Sequence, residues 1–157
     1  MPVLIEPAGT DRFADLQRLY ALLEVSGDPV VSEREAARRY AAILARPDHE
    51  LYVAVDDGDG AVVGTYALAF LPGLTHGARD SAIVEDVVVA ADHRGRGIGR
   101  QMMEDALRRC RARDCYKLVL SSHLQRDAAH RFYEGLGFAK HGFSFLMNLE
   151  APARSTP

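Results

Sequence analysis

Apolar residues recur along this chain with two periods, one typical of helices and one typical of strands. Residues 3–6 form a short apolar run that predicts a strand. Thr10 then occupies the position expected of a helix N-cap, because Phe13 and Leu16 begin a helical spacing after it. The chain is therefore predicted to begin with a strand and a helix.

A second helix is predicted from its own start signal. Ser32 and Glu35 have the S-x-x-E spacing of a capping box, in which each side chain satisfies a free backbone N–H at the helix start. Tyr40 and Ile43 continue the helical period, and we expect the helix to end near Pro47.

The remaining segments predict a mixed sheet. Strands at 51–55 and 61–70 are separated by Asp-Gly pairs that suit a tight hairpin turn. Strand and helix patterns then alternate: a strand at 83–89, a helix from Ile98, a strand at 117–120, a helix at 126–136 and a strand at 138–149. This order, β-α-α-β-β-β-α-β-α-β, indicates an α/β (α+β) fold in which helices cover a mixed sheet. We expect one domain over residues 1–150 and a disordered tail at 151–157.

The composition narrows the function classes. The chain is 48% apolar, and its net charge of -3 gives no overall electrostatic reason to bind nucleic acid or an anionic membrane. Cys110 and Cys115 match neither a metal-binding spacing nor a disulfide framework, so we expect no metal site and a reducing compartment. The longest mostly apolar stretch, residues 61–74, is shorter than the roughly 20 residues of a membrane-spanning helix. We therefore expect a soluble, cytoplasmic protein.

One segment carries most of the chemical information, and we call it the glycine loop. It consists of Arg94, Gly95, Arg96, Gly97, Ile98, Gly99 and Arg100. Because it lies between an apolar strand and an amphipathic helix, its backbone N–H groups and the helix N-terminus converge on a spot that attracts phosphate. Glycines let a phosphate approach the main chain and permit positive φ angles. Taken alone, the loop is equally consistent with a tight strand-to-helix turn.

The spacing of the glycines excludes two common nucleotide motifs. Gly95, Gly97 and Gly99 form G-x-G-x-G, which differs from the G-x-G-x-x-G of dinucleotide-binding folds. The Gly-Lys-Ser/Thr of a Walker motif is absent. The residues around the loop must therefore decide its function.

Residues 83–138 resemble the core of the GNAT superfamily of N-acetyltransferases. Val87, Val88 and Val89 match the V-x-V strand of that family, and the glycine loop matches its R/Q-x-x-G-x-G/A pattern. Residues 131–138, with the sequence RFYEGLGF, look like its FYE-x-x-GF signature. The resemblance implies a central, mostly antiparallel sheet with one splayed parallel strand pair, about four flanking helices, and acetyl-coenzyme A as co-substrate.

The resemblance also implies how the acyl donor is held. The pantetheine arm would pair like an extra strand with the main chain of Val87, Val88 and Val89. The Val89 N–H would polarise the acetyl carbonyl, and the amides of the glycine loop would hold the pyrophosphate. Enzymes of this family transfer the acetyl group directly to a neutral amine, so neither cysteine is expected to act as a nucleophile.

Two side chains are candidates for proton transfer. Tyr133 stands at the general-acid position of the family, and a reference pKa of about 10 suits donation to a thiolate. Glu85 lies two residues before Val87, so simple alternation places both on the same strand face. Glu85 is then either the base, acting through a water, or a carboxylate that attracts the positive charge of the acceptor. Asp86 is expected to face the other way and to be structural.

Further polar residues have less specific expectations. His123 could contact the substrate or shuttle a proton, and His130 could orient Tyr133, although solvent or packing is the usual role of such histidines. Arg126 replaces the family's coenzyme-contacting asparagine and could still donate to a phosphate or carbonyl. Four arginines could meet the adenosine phosphate or form a solvated helix face: Arg108, Arg109, Arg111 and Arg113.

The acceptor is predicted only as a small primary amine. Residues 83–89 and 115–118 resemble glucosamine-6-phosphate N-acetyltransferases, whereas residues 126–133 resemble aminoalkylphosphonate N-acetyltransferases. Glu85 favours a cationic acceptor, while His76 and Arg79 favour an anionic one. Protein N-terminal or lysine acetylation and non-catalytic sensing of acetyl-coenzyme A are the alternatives. We expect no nucleic-acid or membrane partner. Dimerisation is common among members of the family that the chain resembles, so the resemblance also implies a homodimer.

Overall fold

The computed structural model describes residues 2–23 and 30–147. The described chain divides after Leu120 into two compact units. The first unit holds a five-stranded sheet with the first three α-helices, and the second holds the fourth. The predicted tail and the end of the predicted last strand lie outside the described residues.

The sheet has the topology that the sequence predicts. Its strands are β1 (Val3–Pro7), β2 (His49–Asp56), β3 (Val62–Leu71), β4 (Ser81–Val89) and β5 (Lys117–Val119). They lie side by side in chain order, and each neighbouring pair is antiparallel except β4 and β5, which are parallel. The expected mixed sheet with one parallel pair is thus confirmed.

Four α-helices occur among the described residues. They are α1 (Phe13–Tyr20), α2 (Glu33–Leu44), α3 (Ile98–Ala112) and α4 (Asp127–Glu134). The prediction that Thr10 caps α1 is wrong, because a 3₁₀ turn over Thr10–Arg12 precedes the helix and Arg12 takes the N-cap position. That turn is closed by the Arg12 N–H, which donates to the Gly9 carbonyl at 3.1 Å.

The capping box of α2 forms only in part. Ser32 is the N-cap, and its hydroxyl accepts a hydrogen bond from the Glu35 N–H at 3.2 Å, as predicted. The Glu35 carboxylate does not return the bond; it binds the guanidinium of Arg38 at 2.6 and 2.8 Å. An arginine one turn ahead, at i+3, therefore competes successfully for the carboxylate.

The two faces of the sheet are covered by different helices. Strand residues alternate between faces, and Val53 and Ala67 belong to an apolar cluster with Leu16 and Leu19 of α1 and with side chains of α2. Residues of the opposite parity, such as Tyr66, meet α3 instead. We call these the α1/α2 face and the α3 face.

A buried carboxylate fastens α3 to its face of the sheet. Asp105 is almost fully buried and accepts hydrogen bonds from the Tyr66 hydroxyl and from Nε of Arg109, the latter at 2.5 Å. The Arg109 guanidinium also lies 3.9 Å from the centre of the Tyr52 ring, and Arg113 pairs with a β2 carboxylate at 2.9 Å. These two arginines thus contact the sheet, contrary to the solvated helix face that was the default expectation for their cluster.

The predicted last strand is wrong for the residues that the structure describes. Residues 138–147 form neither helix nor strand. Phe143, Phe145, Leu146 and Met147 are each more than four-fifths exposed. Their β-favouring pattern led to the prediction, but a strand also needs a hydrogen-bonded neighbour, and none pairs with this segment within the described chain.

Candidate active site

The outer edge of β4 is open over the segment that the sequence assigns to the acyl donor. Strand β5 pairs with Ser81, Ala82 and Ile83 only. Beyond that point no strand of the described chain lies along this edge of β4, so residues 84–89 present their outward backbone groups without a strand partner. The parallel pair is therefore splayed, as predicted.

The backbone of Val89 points into this opening. The N–H of Ala90 donates to the Val63 carbonyl of β3 at 2.8 Å. Because successive N–H groups of a strand point to opposite edges, the N–H of Val89 is directed away from β3, toward the open edge. The carbonyl of Val89 accepts a hydrogen bond from Nε of Arg94 at 3.2 Å, which ties the glycine loop to the end of the strand.

A β-bulge in β4 reverses the expected facing of Glu85. Glu85 pairs with Ala67, and Val88 pairs with Thr65, so two β4 residues lie opposite the single residue between Thr65 and Ala67. Ala67 and Val88 both belong to the apolar cluster of the α1/α2 face. Glu85 therefore lies on that face, and Val87, next to Val88, lies on the α3 face. The prediction that Glu85 and Val87 share a face is wrong, because simple alternation does not allow for the extra residue.

The extra residue is Asp86. It is exposed and has a φ of +53°, in the left-handed region that aspartate tolerates better than most residues. Its charge helps to raise the pKa of Tyr20, the last residue of α1. The bulge removes the simple alternation behind the expectation that Asp86 faces away from Glu85, and that expectation stays a prediction.

The glycine loop has the backbone that its sequence predicts. A 3₁₀ turn over Ala91–His93 leads into it, and Gly95 and Gly97 have φ angles of +74° and +81°. Gly97 is the N-cap of α3, and no side chain caps this helix end. No acidic residue lies in the first turn either, so the N-terminus of α3 suits an anion.

The loop also leaves room for a ligand against its main chain. A Cβ atom built at Gly95 or at Gly97 would meet no other atom within 4 Å. The loop's three arginines, Arg94, Arg96 and Arg100, are all exposed. Arg100 lies 3.8 Å from Glu104 in an exposed ion pair. An open backbone with positive φ angles and local positive charge is what a pyrophosphate requires.

Comparison with known proteins now decides the family. The model of the Acetyltransferase (GNAT) family matches residues 15–138, which include β4, the glycine loop and α4. The chain belongs to the GNAT acetyltransferase family. The predicted family, the predicted fold and the prediction of an N-acetyltransferase are thereby confirmed.

Several proteins that are similar to this chain in sequence or in structure are named as acetyltransferases. A glucosamine 6-phosphate N-acetyltransferase from Trypanosoma brucei brucei is 38% identical over 90 residues, which are 57% of this chain and 59% of that protein. A glucosamine 6-phosphate N-acetyltransferase from Arabidopsis thaliana is 25% identical over 83% of this chain and 85% of its own length. The solved structure of a putative acetyltransferase from Agrobacterium tumefaciens has a TM-score of 0.85 and 34% identity, covering 92% of this chain and 99% of that one.

The second unit of this GNAT chain presents Tyr133 near the end of α4. Its ring makes edge contacts with Phe132 and Phe138, with centroids 5.1 and 5.9 Å apart. The Tyr133 carbonyl accepts the N–H of Phe138 at 3.1 Å, which requires the chain to reverse through Gly137 with a φ of +92°. The GNAT signature around Tyr133 is thus a helix stop that packs aromatic rings against one another.

Burial raises the pKa of Tyr133, and the positive charge of Arg126 acts in the opposite direction. Arg126 is the N-cap of α4, two turns before Tyr133, and its side chain makes no capping bond. The hydroxyl of Tyr133 is therefore protonated at neutral pH, as a general acid must be. The predicted coenzyme contact of Arg126 stays a prediction.

The rings of His123 and His130 each form a hydrogen bond with a nearby backbone group. The His130 ring lies 3.0 Å from the His123 carbonyl through Nε2, and the His123 ring accepts the Gln125 N–H at Nδ1, 3.3 Å away. His130 is thus engaged with His123 and not with Tyr133. His123 is exposed, with its Nδ1 as an acceptor, so any proton that it offers is on Nε2.

The cysteines have the character expected of inert thiols. Cys110 is buried, and burial raises its pKa to about 12, with a further contribution from Cys115. Burial also raises the pKa of Cys115. Both are therefore thiols at neutral pH. Among residues 2–23 and 30–147, no group of three or more His, Cys, Asp or Glu side chains is arranged to hold a metal, and no helix there is long and apolar enough to cross a membrane.

Sequence reasoning missed two features of the site. They are the bulge at Asp86 and the position of Tyr20 near it, and the position of Tyr20 has no signal in the sequence. An aspartate inside an apolar strand, between Glu85 and Val87, is the one hint of an irregularity there, because aspartate is uncommon in strand interiors.

Proposed function

We propose that this chain transfers the acetyl group of acetyl-coenzyme A to the primary amine of a small molecule, with glucosamine 6-phosphate as the first acceptor to test. The observation that carries the proposal is the open edge of β4 beside the uncapped N-terminus of α3. One side of this arrangement suits an extended amide-bearing chain, and the other suits a pyrophosphate.

The donor half of the site acts through backbone groups. The edge of β4 around Val87, Val88 and Val89 would pair with the pantetheine arm of the coenzyme. The Val89 N–H would donate to the acetyl oxygen as negative charge develops on it. The N–H groups at the start of α3, after the left-handed Gly95 and Gly97, would bind the pyrophosphate. Arg126 is proposed to donate to a phosphate or carbonyl of the coenzyme.

The acceptor half supplies the proton transfers. Glu85 lies on the α1/α2 face, so we propose that the amine approaches from that face and loses a proton to Glu85 through a water. The nitrogen forms its bond to the acetyl carbon, and the bond from that carbon to sulfur breaks. The Tyr133 hydroxyl gives its proton to the departing sulfur. His123 is proposed as an acceptor contact.

The choice of glucosamine 6-phosphate rests on two kinds of support. Two of the similar proteins bear that activity in their names. The acceptor also combines an amine with a phosphate, and this chain offers a carboxylate at Glu85 and the guanidinium of Arg79 in the loop before β4. There, Nε of Arg79 donates to the His76 carbonyl at 3.1 Å, and the His76 ring stacks on Tyr116 with centroids 4.1 Å apart.

The test is the release of thiol from acetyl-coenzyme A with a panel of acceptors. The panel holds glucosamine 6-phosphate, glucosamine, an aminoalkylphosphonate, a polyamine, free amino acids and a peptide with a free N-terminus. We expect turnover on a small amine and an N-acetylated product by mass spectrometry. Turnover on the peptide alone would favour protein acetylation, and tight coenzyme binding without turnover on any acceptor would favour a sensor.

Glu85→Gln should lower kcat about 10-fold or more at pH 7, because the amide cannot accept the proton of the amine. The affinity for acetyl-coenzyme A should not change. Asp57→Asn, in the exposed turn between β2 and β3, is the control that removes a carboxylate away from the site. A raised acceptor KM with unchanged kcat would instead assign Glu85 to attraction of the acceptor's charge.

A further inference from the structure

Tyr20 carries a buried hydroxyl that the proposed reaction does not use. It is the last residue of α1, and its ring packs against the apolar cluster of the α1/α2 face. Within residues 2–23 and 30–147, its hydroxyl oxygen has no hydrogen-bond partner. The neighbouring Thr65 hydroxyl donates its own proton to the Tyr52 carbonyl at 2.8 Å. Thr65 is near enough to oppose the rise in the pKa of Tyr20 as a hydrogen-bonding group, but the two hydroxyls do not meet the distance and angle limits of a hydrogen bond.

A buried hydroxyl without a hydrogen-bond partner lowers the stability of the folded protein. Leaving a buried donor or acceptor unsatisfied destabilises the folded state, because the group has given up its hydrogen bonds to water. A phenylalanine would keep the ring contacts of Tyr20 and avoid that cost. A buried group without a partner therefore calls for a partner that joins the protein later, either a water or a ligand.

The surroundings of the Tyr20 hydroxyl are those of the acceptor half of the site. Thr65, beside it, pairs with Val88 of β4, at the level where the outer edge of β4 is open. Asp86, the residue that bulges from β4, is close enough for its charge to raise the pKa of Tyr20. Glu85 lies on the same face of the sheet. The Tyr20 hydroxyl and Glu85 thus lie on the same face of the strand that is proposed to hold the acetyl group, and the Asp86 carboxylate is near enough to act on that hydroxyl.

The protonation state of Tyr20 fixes the kind of partner. Burial, with a smaller contribution from Asp86, raises its pKa to about 12, although Thr65 opposes the shift. The hydroxyl is therefore a neutral donor at physiological pH. Because the negative charge of Asp86 acts on it, the hydroxyl suits an uncharged oxygen better than an anionic one, which that charge would repel.

We propose that the Tyr20 hydroxyl binds the acceptor, donating a hydrogen bond to a neutral hydroxyl oxygen that lies close to the reacting amine. The inference rests on the proposed function and deepens it: the acceptor would be an amino alcohol, such as an amino sugar, with its nitrogen toward Glu85 and Asp86. Tyr20 would then select among amines, because a site that bonds a substrate hydroxyl rejects analogues without it.

The test is Tyr20→Phe in the full chain, assayed with glucosamine, glucosamine 6-phosphate and a primary amine that lacks a neighbouring hydroxyl. We expect kcat/KM for the amino sugar to fall about 10- to 100-fold, with the Kd of acetyl-coenzyme A unchanged. The melting temperature should stay the same or rise, since an unsatisfied buried group is removed. Tyr40→Phe is the matched control: its hydroxyl donates to the Gly9 carbonyl at 2.6 Å, so that variant should lose stability and keep its acceptor kinetics.

Three outcomes would overturn the inference, and the measurements distinguish them. If wild type transfers acetyl groups to amino sugars and Tyr20→Phe does so with the same kcat/KM, the hydroxyl serves no acceptor and is satisfied by water. If wild type acetylates no amine at all, the proposed function fails, and the role of Tyr20 fails with it. A loss of kcat/KM that is equal for amines with and without a neighbouring hydroxyl would also contradict the proposed contact.

Discussion

Tyr133→Phe should lower kcat about 100-fold while leaving the Kd of acetyl-coenzyme A within twofold of wild type. The substitution removes the proton that is proposed to pass to the departing sulfur, and such general-acid steps contribute about 10²- to 10⁴-fold. The ring remains, so its edge contacts with Phe132 and Phe138 are retained. Steady-state kinetics with calorimetric binding of the coenzyme separates the two effects.

The pH dependence of kcat, compared between wild type and Tyr133→Phe, gives a second test of Tyr133. Burial raises the pKa of Tyr133 above its usual value of 10, despite the opposing charge of Arg126. A group with a raised pKa keeps its proton to higher pH, so ionisation of Tyr133 should not reduce the wild-type kcat below about pH 10. Tyr40→Phe again serves as the control. An unchanged kcat for Tyr133→Phe would remove Tyr133 from the chemistry.

Gly97→Val should weaken binding of acetyl-coenzyme A at least about 100-fold, or roughly 2.7 kcal/mol. Two physical effects combine. A β-branched residue is strained at a φ of +81°, and the new side chain would extend into the open space that the pyrophosphate is proposed to occupy. Isothermal titration calorimetry measures the loss directly.

The control for Gly97→Val must carry the same strain away from the glycine loop. Gly77 has a φ of +76°, and a Cβ there also meets no atom within 4 Å, but it lies in the loop between β3 and β4. Gly77→Val should therefore lose a similar amount of stability and bind acetyl-coenzyme A normally. Undiminished binding by Gly97→Val, or equal losses in both variants, would contradict the assignment of the glycine loop.

Much of the fold follows from the sequence because local patterns and chain order agree. The helical period after Ile98 and the apolar run before it place β4 and α3 on either side of the glycine loop. The glycines at 95 and 97 have the positive φ angles that their residue type suggests, whereas Gly99 lies inside α3 and is not among the residues with a positive φ. The parallel pairing of β4 with β5 follows from the helix between them.

The sequence could not reveal features that depend on the register between strands. The bulge at Asp86 inserts one residue into β4, and this changes which face Glu85 occupies without changing the strand's pattern of apolar residues. The partner of Asp105 is likewise tertiary, because Tyr66 lies on another element 39 positions away. The segment 138–147 shows the reverse case: its sequence has a β-strand pattern, but no strand of the described chain forms backbone hydrogen bonds with it.

The facing of Glu85 changes the geometry proposed for catalysis. With Glu85 and Val87 on one face, donor and acceptor would share the same side of β4. With Glu85 on the α1/α2 face, the acceptor is proposed to approach from that face, and the acetyl group would meet it at the open edge of β4. The bulge thus places a carboxylate opposite the side chains of Val87 and Val89 while their backbone remains available to the coenzyme.

A crystal structure of the full chain with acetyl-coenzyme A tests the central claim most directly. The account predicts that the pyrophosphate lies against the backbone N–H groups that follow Gly95 and Gly97, and that the pantetheine arm runs along the open edge of β4 with the acetyl oxygen on the Val89 N–H. A coenzyme bound elsewhere, or an acetyl group on the side of β4 away from Glu85, would contradict it.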